Sequence, residues 1–240
     1  MWWLIPGLVV GAIAAAAAAL SGGETTAKKP QQSGGQRHGD CKDAAAVQMF
    51  RRNITRLRTA LRERSIRPIA IVGSPGAGKS SLLIRLAEGR CEPMPVIGQA
   101  TDATDWSRSD GVDLLSDAPA IGMFVDVPGI GTARHPVADL IACFPFDVCS
   151  AILVAIRGKL RVGETALLRH LVDDRRLFDR VVIVRTFEDA LDRTEILDAV
   201  ADIRSVAGAD ADIRVVSNRT GSGVADLRNA IRFLLRKHPN

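Results

Sequence analysis

The run Gly73-Ser74-Pro75-Gly76-Ala77-Gly78-Lys79-Ser80 constrains this chain more than any other stretch. It fits the pattern G-x-x-x-x-G-K-[ST], and it stands between an apolar strand-like run at 66–72 and a helix-like run at 79–87 whose core face is Leu82, Leu83 and Leu86. Pro68 is tolerable there only near the strand's start. The residue types suit a triphosphate. Gly73, Gly76 and Gly78 let backbone N–H groups close on phosphate oxygens, Lys79 carries a cation to the β- and γ-positions, and the Ser80 hydroxyl is a ligand for Mg²⁺. Ser74, Pro75, Ala77 and Ser81 complete the expected nucleotide-binding segment.

A second buried-type strand, 120–125, delivers Asp126-Val127-Pro128-Gly129 at its end, about fifty residues downstream. In this D-x-x-G pattern the carboxylate can hold Mg²⁺ through water, and the Gly129 N–H can meet the γ-phosphate and report its loss. The intervening 93–116 has acidic and turn-forming residues without clear periodicity, which predicts a loop plus an edge strand. A γ-phosphate sensor belongs in such a loop. Thr101 and Thr104 are the hydroxyl candidates, and Thr104 is preferred because its interval to Asp126 is nearer that seen in GTPases. Lys79, Thr104 and Gly129 are thus the expected catalytic groups, and Ser80, Thr104 and Asp126 the expected metal ligands.

Strands at 148–156, 180–184 and 212–216 alternate with helices carrying Ala166, Leu167, Leu171 and Val172, then 194–206 and 224–237. Such alternation predicts a mostly parallel sheet covered on both faces, with ligand loops at the strands' carboxyl ends. Arg185-Thr186-Phe187-Glu188-Asp189 follows one of these strands, where GTPases place [NT]-K-x-D. Asp189 can accept two N–H bonds from guanine, a pattern adenine does not offer. Phe187 replaces the lysine whose stem packs on the base, and its ring can stack there instead. Ser217-Asn218-Arg219 is similar to the S-A-K element that meets guanine O6 through backbone N–H. Thr186, Asp189, Ser217 and Asn218 therefore join the nucleotide-binding set, and the expected ligand is GTP or GDP.

Taken together, the phosphate loop, Asp126-Val127-Pro128-Gly129-Ile130-Gly131-Thr132, Val184-Arg185-Thr186-x-x-Asp189 and Val216-Ser217-Asn218 resemble the immunity-related GTPase (IRG) family and its bacterial relatives, TRAFAC-class P-loop GTPases, over about residues 43–237. The resemblance implies a Ras-like G domain of α/β fold, three-layered on a mostly parallel sheet, with Mg²⁺, GTP/GDP binding, slow hydrolysis, membrane association and nucleotide-dependent self-assembly. The chain departs from the family in three places. It ends at Asn240, without the helical domain that follows the G domain in vertebrate members; it lacks the lysine at 187; and its N-terminal segment differs from the family's lipid or amphipathic attachment.

After Gly129, where many Ras-like enzymes have a water-orienting glutamine, stands Ile130, which cannot polarise water. Slow intrinsic hydrolysis is expected. Arg157, Lys159 and Arg161, in the loop after a sheet strand, are candidates to meet phosphate across a homodimer of G domains; a solvated basic loop is the other reading. The alternatives to a hydrolysing switch are a non-hydrolysing nucleotide-regulated scaffold, motivated by Phe187 and Ile130, and an ATP-driven enzyme, disfavoured by Asp189.

Ahead of the nucleotide elements, residues 1–20 carry no charged side chain and reach ~30 Å as a helix, the thickness of a bilayer core. Trp2 and Trp3 suit an interfacial belt, and Lys28, Lys29, Arg37 and Lys42 would keep the following chain cytoplasmic. A transmembrane anchor is the expectation; a cleaved signal, suggested by Ala17-x-Ala19, and a buried helix are the alternatives. Residues 21–42 read as a flexible tether, 43–65 as an amphipathic helix and 66–240 as the G domain. Val47, Phe50, Ile54, Leu57 and Leu61 form the helix's apolar face, and Arg51, Arg52, Arg58, Arg62 and Arg64 a basic one suited to solvent or anionic lipid.

Residues 1–65 hold ten Lys/Arg against four Asp/Glu, out of 32 and 27 in the chain, which leaves 22 against 23 for the remainder. The net charge of +5 therefore belongs to the N-terminal arm, and it argues against nucleic acid as a partner of the globular part. The four cysteines form no C-x-x-C pair and have no ligand-like His spacing, which disfavours zinc and redox roles.

Overall fold

The computed structural model describes residues 34–95 and 105–238, with side chains from Asp43 onward. Among these residues the sheet has six strands in the order β2-β3-β1-β4-β5-β6. These are β1 (Ile69–Gly73), β2 (Ser116–Ala118), β3 (Gly122–Asp126), β4 (Ala151–Ile156), β5 (Val181–Arg185) and β6 (Ile213–Val215). All pairings are parallel except the edge hairpin β2–β3. The helices are α1 (Gly34–Glu63), α2 (Lys79–Leu86), α3 (Val137–Cys143), α4 (Val162–Asp173), α5 (Arg175–Phe178), α6 (Arg193–Ala207) and α7 (Val224–Lys237).

The central strands are wholly apolar because both sheet faces are covered. Alternation sends Ala70, Val72, Ile152, Val154, Ile156 and Ile183 to one face and Ile69, Ile71, Leu153, Val182 and Val184 to the other. The first face packs under α1, α3, α4 and α6, the second under α2 and α7. The expected three-layer α/β architecture is therefore present. Pro68 sits just before β1, as its missing N–H requires, and its carbonyl accepts from the Ser150 N–H at 2.9 Å.

Helix α1 belongs to this core. Phe50, Ile54, Leu57 and Leu61 are at most 2% exposed, and each contributes on the order of 1.5–3 kcal/mol, an upper bound, by leaving water. Asn53, on the same buried face, donates to the carbonyls of Trp106 (2.7 Å) and Ser109 (2.8 Å). The helix begins at Gly34, inside the stretch expected as tether. Its basic face is partly used within the fold: Arg51 pairs with Asp139 of α3 at 2.5 Å, and Arg58 donates to the Cys143 carbonyl at 2.9 Å.

Among the described residues no helix is long and apolar enough to cross a membrane. The expected anchor at 1–20, most of the expected tether, and both Thr101 and Thr104 lie outside the described residues.

Candidate nucleotide site

The turn after β1 is shaped by glycine. A β-carbon on Gly73 would stand 2.2 Å from the Ala155 carbonyl oxygen of β4, so only glycine lets the two strand ends approach. Gly78 has φ 82°, the left-handed region, and starts α2. Lys79 Nζ lies within the loop, donating to the carbonyls of Gly73 (3.1 Å) and Ser74 (3.2 Å).

Strand β3 ends beside this turn. Ser80 Oγ donates to Asp126 Oδ2 at 2.7 Å, which puts a hydroxyl and a carboxylate, both hard oxygen donors, at one point. That pair fits Mg²⁺, which takes one or two protein oxygens and fills the rest with water and phosphate. No group of three or more His, Cys, Asp or Glu side chains suited to a metal occurs among the described residues. A β-carbon on Gly129 would meet Pro75 backbone atoms at 2.7 Å, and the Ile130 N–H donates to the Gly73 carbonyl at 3.2 Å. The two loops are therefore in direct contact. The Ile130 side chain is 1% exposed, turned into the core.

The ends of β5 and β6 complete the crevice. Thr186 Oγ1 donates to the Ala77 carbonyl at 2.9 Å, tying the end of β5 to the glycine-rich turn, and to the Ile156 carbonyl at 3.1 Å. Ser217 Oγ donates to Asp189 Oδ1 at 2.5 Å, and Asn218 Nδ2 to the Gly78 carbonyl at 3.0 Å. Hydrogen bonding from Ser217 above all, with Arg219 helping, holds the Asp189 carboxyl below the usual carboxylate range despite some desolvation. Ser81, Phe187, Asp189, Asn218 and Arg219 line a cavity of about 930 Å³. A second cavity, about 490 Å³, runs beside Ser74, Pro75 and Ala77 and is walled by Arg157, Lys159 and Arg161.

The expected site residues within the described chain thus stand at or just after the carboxyl ends of β1, β3, β5 and β6. This is where a doubly covered parallel sheet binds ligands. Two arrangements had no counterpart in the sequence reading. Arg157 lies over the Phe187 ring, 4.2 Å from its centroid. Behind Gly129, His135 Nε2 stands 3.2 Å from Asp105 Oδ1 and the ring packs edge-on against Phe50 of α1. Asp105 accepts in turn from Ser107 and Arg108; these bonds and His135 outweigh its desolvation and keep its carboxyl below the usual range.

Comparison with solved structures places this architecture. Toc33 from Arabidopsis thaliana, solved as a dimerisation-deficient mutant, superposes with a TM-score of 0.52 at 12% identity, covering 83% of this chain and 94% of that one. The α/β fold with its mostly parallel sheet matches a Ras-like G-domain fold. Looser likenesses are found to elongation factor SelB from Methanococcus maripaludis in complex with the GTP analogue GppNHp (TM-score 0.46, 19% identity, 71% of this chain and 34% of that one). The G domain of the T. maritima FeoB iron transporter gives a TM-score of 0.42 at 17% identity, over 70% of this chain and 98% of that one. The chain spans about a third of the length of the elongation factors it matches. No protein-family model and no curated protein matches the chain.

Proposed function

We propose that this chain is a guanine-nucleotide switch: it binds Mg²⁺-GTP and GDP and hydrolyses GTP slowly. The observation that carries the reading is the placement, at the carboxyl end of one sheet, of the Lys79 cation, the Ser80–Asp126 oxygen pair at 2.7 Å and the Asp189 carboxylate oriented by Ser217 at 2.5 Å. A cation, a hard-metal site and an ionised acceptor for two N–H groups match the γ-phosphate, Mg²⁺ and guanine of one ligand.

In this reading Lys79 leaves the carbonyls of Gly73 and Ser74 for the β- and γ-phosphate oxygens and stabilises the charge that develops there. Ser80 and Asp126 hold Mg²⁺, directly and through water, with Thr104 as the further ligand from the switch loop. Bound Mg²⁺ neutralises phosphate charge. The Gly129 N–H senses the γ-phosphate, and because its loop already contacts Pro75 and Gly73, loss of that phosphate alters a packed junction rather than a free loop. Ile130 is buried and apolar, so no side chain at that position orients the attacking water, and intrinsic turnover is slow.

Several finer parts belong to the same proposal. The chain is read as an IRG-like protein, with residues 1–20 a membrane anchor, 21–42 a tether and the G domain on the cytoplasmic side. Of the three basic residues expected to meet phosphate across a homodimer, Arg157, Lys159 and Arg161, the last two, beside an exposed Val162 (89%), are assigned that role. A second reading, a non-hydrolysing scaffold, is favoured by the same buried Ile130. Phosphate release measured at rising protein concentration separates them: slow release that accelerates with concentration supports the self-activating switch, and GTP binding with no release supports the scaffold. Lys79→Ala abolishes binding in both. Retained GTP affinity in that variant would overturn the site.

A further inference from the structure

We propose that Phe187 and Arg157 divide between them the work of one lysine, the ring bearing the guanine base and the guanidinium supplying the cation for the phosphate end of the nucleotide. The proposal rests on reading this crevice as a guanine-nucleotide site.

A lysine in the [NT]-K-x-D motif offers two things to its surroundings, an apolar stem and a charge. Phe187 retains only the first. The sheet order puts β4 between β1 and β5, so Arg157, the residue directly after β4, emerges between the phosphate loop and the base motif. Its guanidinium lies over the Phe187 ring, 4.2 Å from the centroid, and a β-carbon built on Gly76 would stand 3.9 Å from its Nη1. Phe187 is itself close to the loop: a β-carbon on Gly78 would be 3.4 Å from its Cε2. The aromatic residue has φ 62° and ψ 39°, left-handed backbone that a bulky residue avoids and that tends to be retained at ligand sites.

The two cavities divide the pair in the same way. Phe187 lines the larger one, with Asp189 and Asn218, and Arg157 does not; Arg157 lines the smaller one, with Ser74 and Ala77, and Phe187 does not. The ring therefore faces the base-reading carboxylate and the cation faces the phosphate loop. Arg157 is exposed and enters no ion pair among the described residues. Arg157, Lys159 and Arg161 line the smaller cavity against a single carboxylate, Glu164, so this corner holds more positive charge than its carboxylates balance. Phosphate oxygens would relieve that excess, and a planar guanidinium can stack on an aromatic face while binding them.

The test is calorimetric titration of the full chain in mild detergent with Mg²⁺ and GDP. Arg157→Ala and Phe187→Ala are each expected to weaken GDP binding about tenfold or more, with an unchanged melting temperature for Arg157→Ala because the side chain is exposed. Adding Phe187→Lys to Arg157→Ala is expected to restore affinity to within about threefold of the parent, since one lysine then carries both chemistries. Unchanged binding by Arg157→Ala, or no recovery with Phe187→Lys, overturns the proposal while leaving the guanine-nucleotide site standing. A parent protein that binds neither GDP nor GTP overturns both.

Discussion

Ser217 Oγ donates to Asp189 Oδ1 at 2.5 Å while Arg219 Nε donates to Asp189 Oδ2 at 2.7 Å, so both oxygens of this carboxylate are engaged within the protein. Ser217 is buried and orients the carboxylate; Arg219 is 76% exposed and merely occupies it. Replacing Asp189 with Asn removes the charged acceptor and offers a donor instead. GTP affinity should fall about 10- to 100-fold, as expected for losing a hydrogen bond to a charged group, while xanthosine triphosphate, whose base presents a carbonyl there, gains. Competition titrations of the two nucleotides check this.

The pH dependence has a definite sign. A carboxyl held below its usual range by Ser217 is ionised throughout the neutral and mildly acidic range, and what its charge contributes is lost only as pH falls through the lowered value. The preference for GDP over IDP, which differ only in the 2-amino group that Asp189 would accept from, should stay flat from about pH 8 to about pH 5. Paired affinities across that range measure it. A preference that decays within it would mean the carboxylate is not the reader.

The Arg219 pair competes with guanine only weakly. An exposed ion pair is worth about 0–1 kcal/mol, so Arg219→Ala should raise GDP affinity by no more than about fivefold, read in the same titration.

The Asn53 amide ties helix α1 to the segment before β2. Asn53→Ala leaves the Trp106 and Ser109 carbonyls without their donor and should cost about 1–3 kcal/mol. That corresponds to a melting temperature lower by roughly 2–4 °C per kcal/mol for a chain of this size. A thermal melt decides it.

Burial pushes the Cys149 thiol up to about 12, far above where a thiolate forms. In the native protein Cys149 should stay unmodified by a thiol-specific reagent at about pH 8, and react once denaturant is added, as peptide mass mapping would record.

Much of this site was legible in the residues. The glycines at 73 and 78 announce a turn that no side chain could make, the apolar runs at 120–125 and 180–184 lie within a residue or two of β3 and β5, and α7 runs from Val224 to Lys237 as its spacing predicts. What was not legible depends on which strands are neighbours. Arg157 meets Phe187 only because β4 lies between β1 and β5, an order that local periodicity does not encode. Trp106, fully buried, stands in a polar acidic stretch that reads as loop, and Asn53 looks like a solvent-facing helix residue until its two carbonyl partners arrive from 53 and 56 residues away. The His135–Asp105 contact likewise joins two loops with no shared motif.

The proposed site selects guanine nucleotide. Titrating the full chain with GDP and with ADP in Mg²⁺ tests it most directly, because the phosphates are the same and only the base differs. Binding of GDP with ADP at least about 100-fold weaker, the discrimination available to a site whose polar groups a wrong base leaves unpaired, is the predicted result. Equal affinity for ADP and GDP would contradict the account.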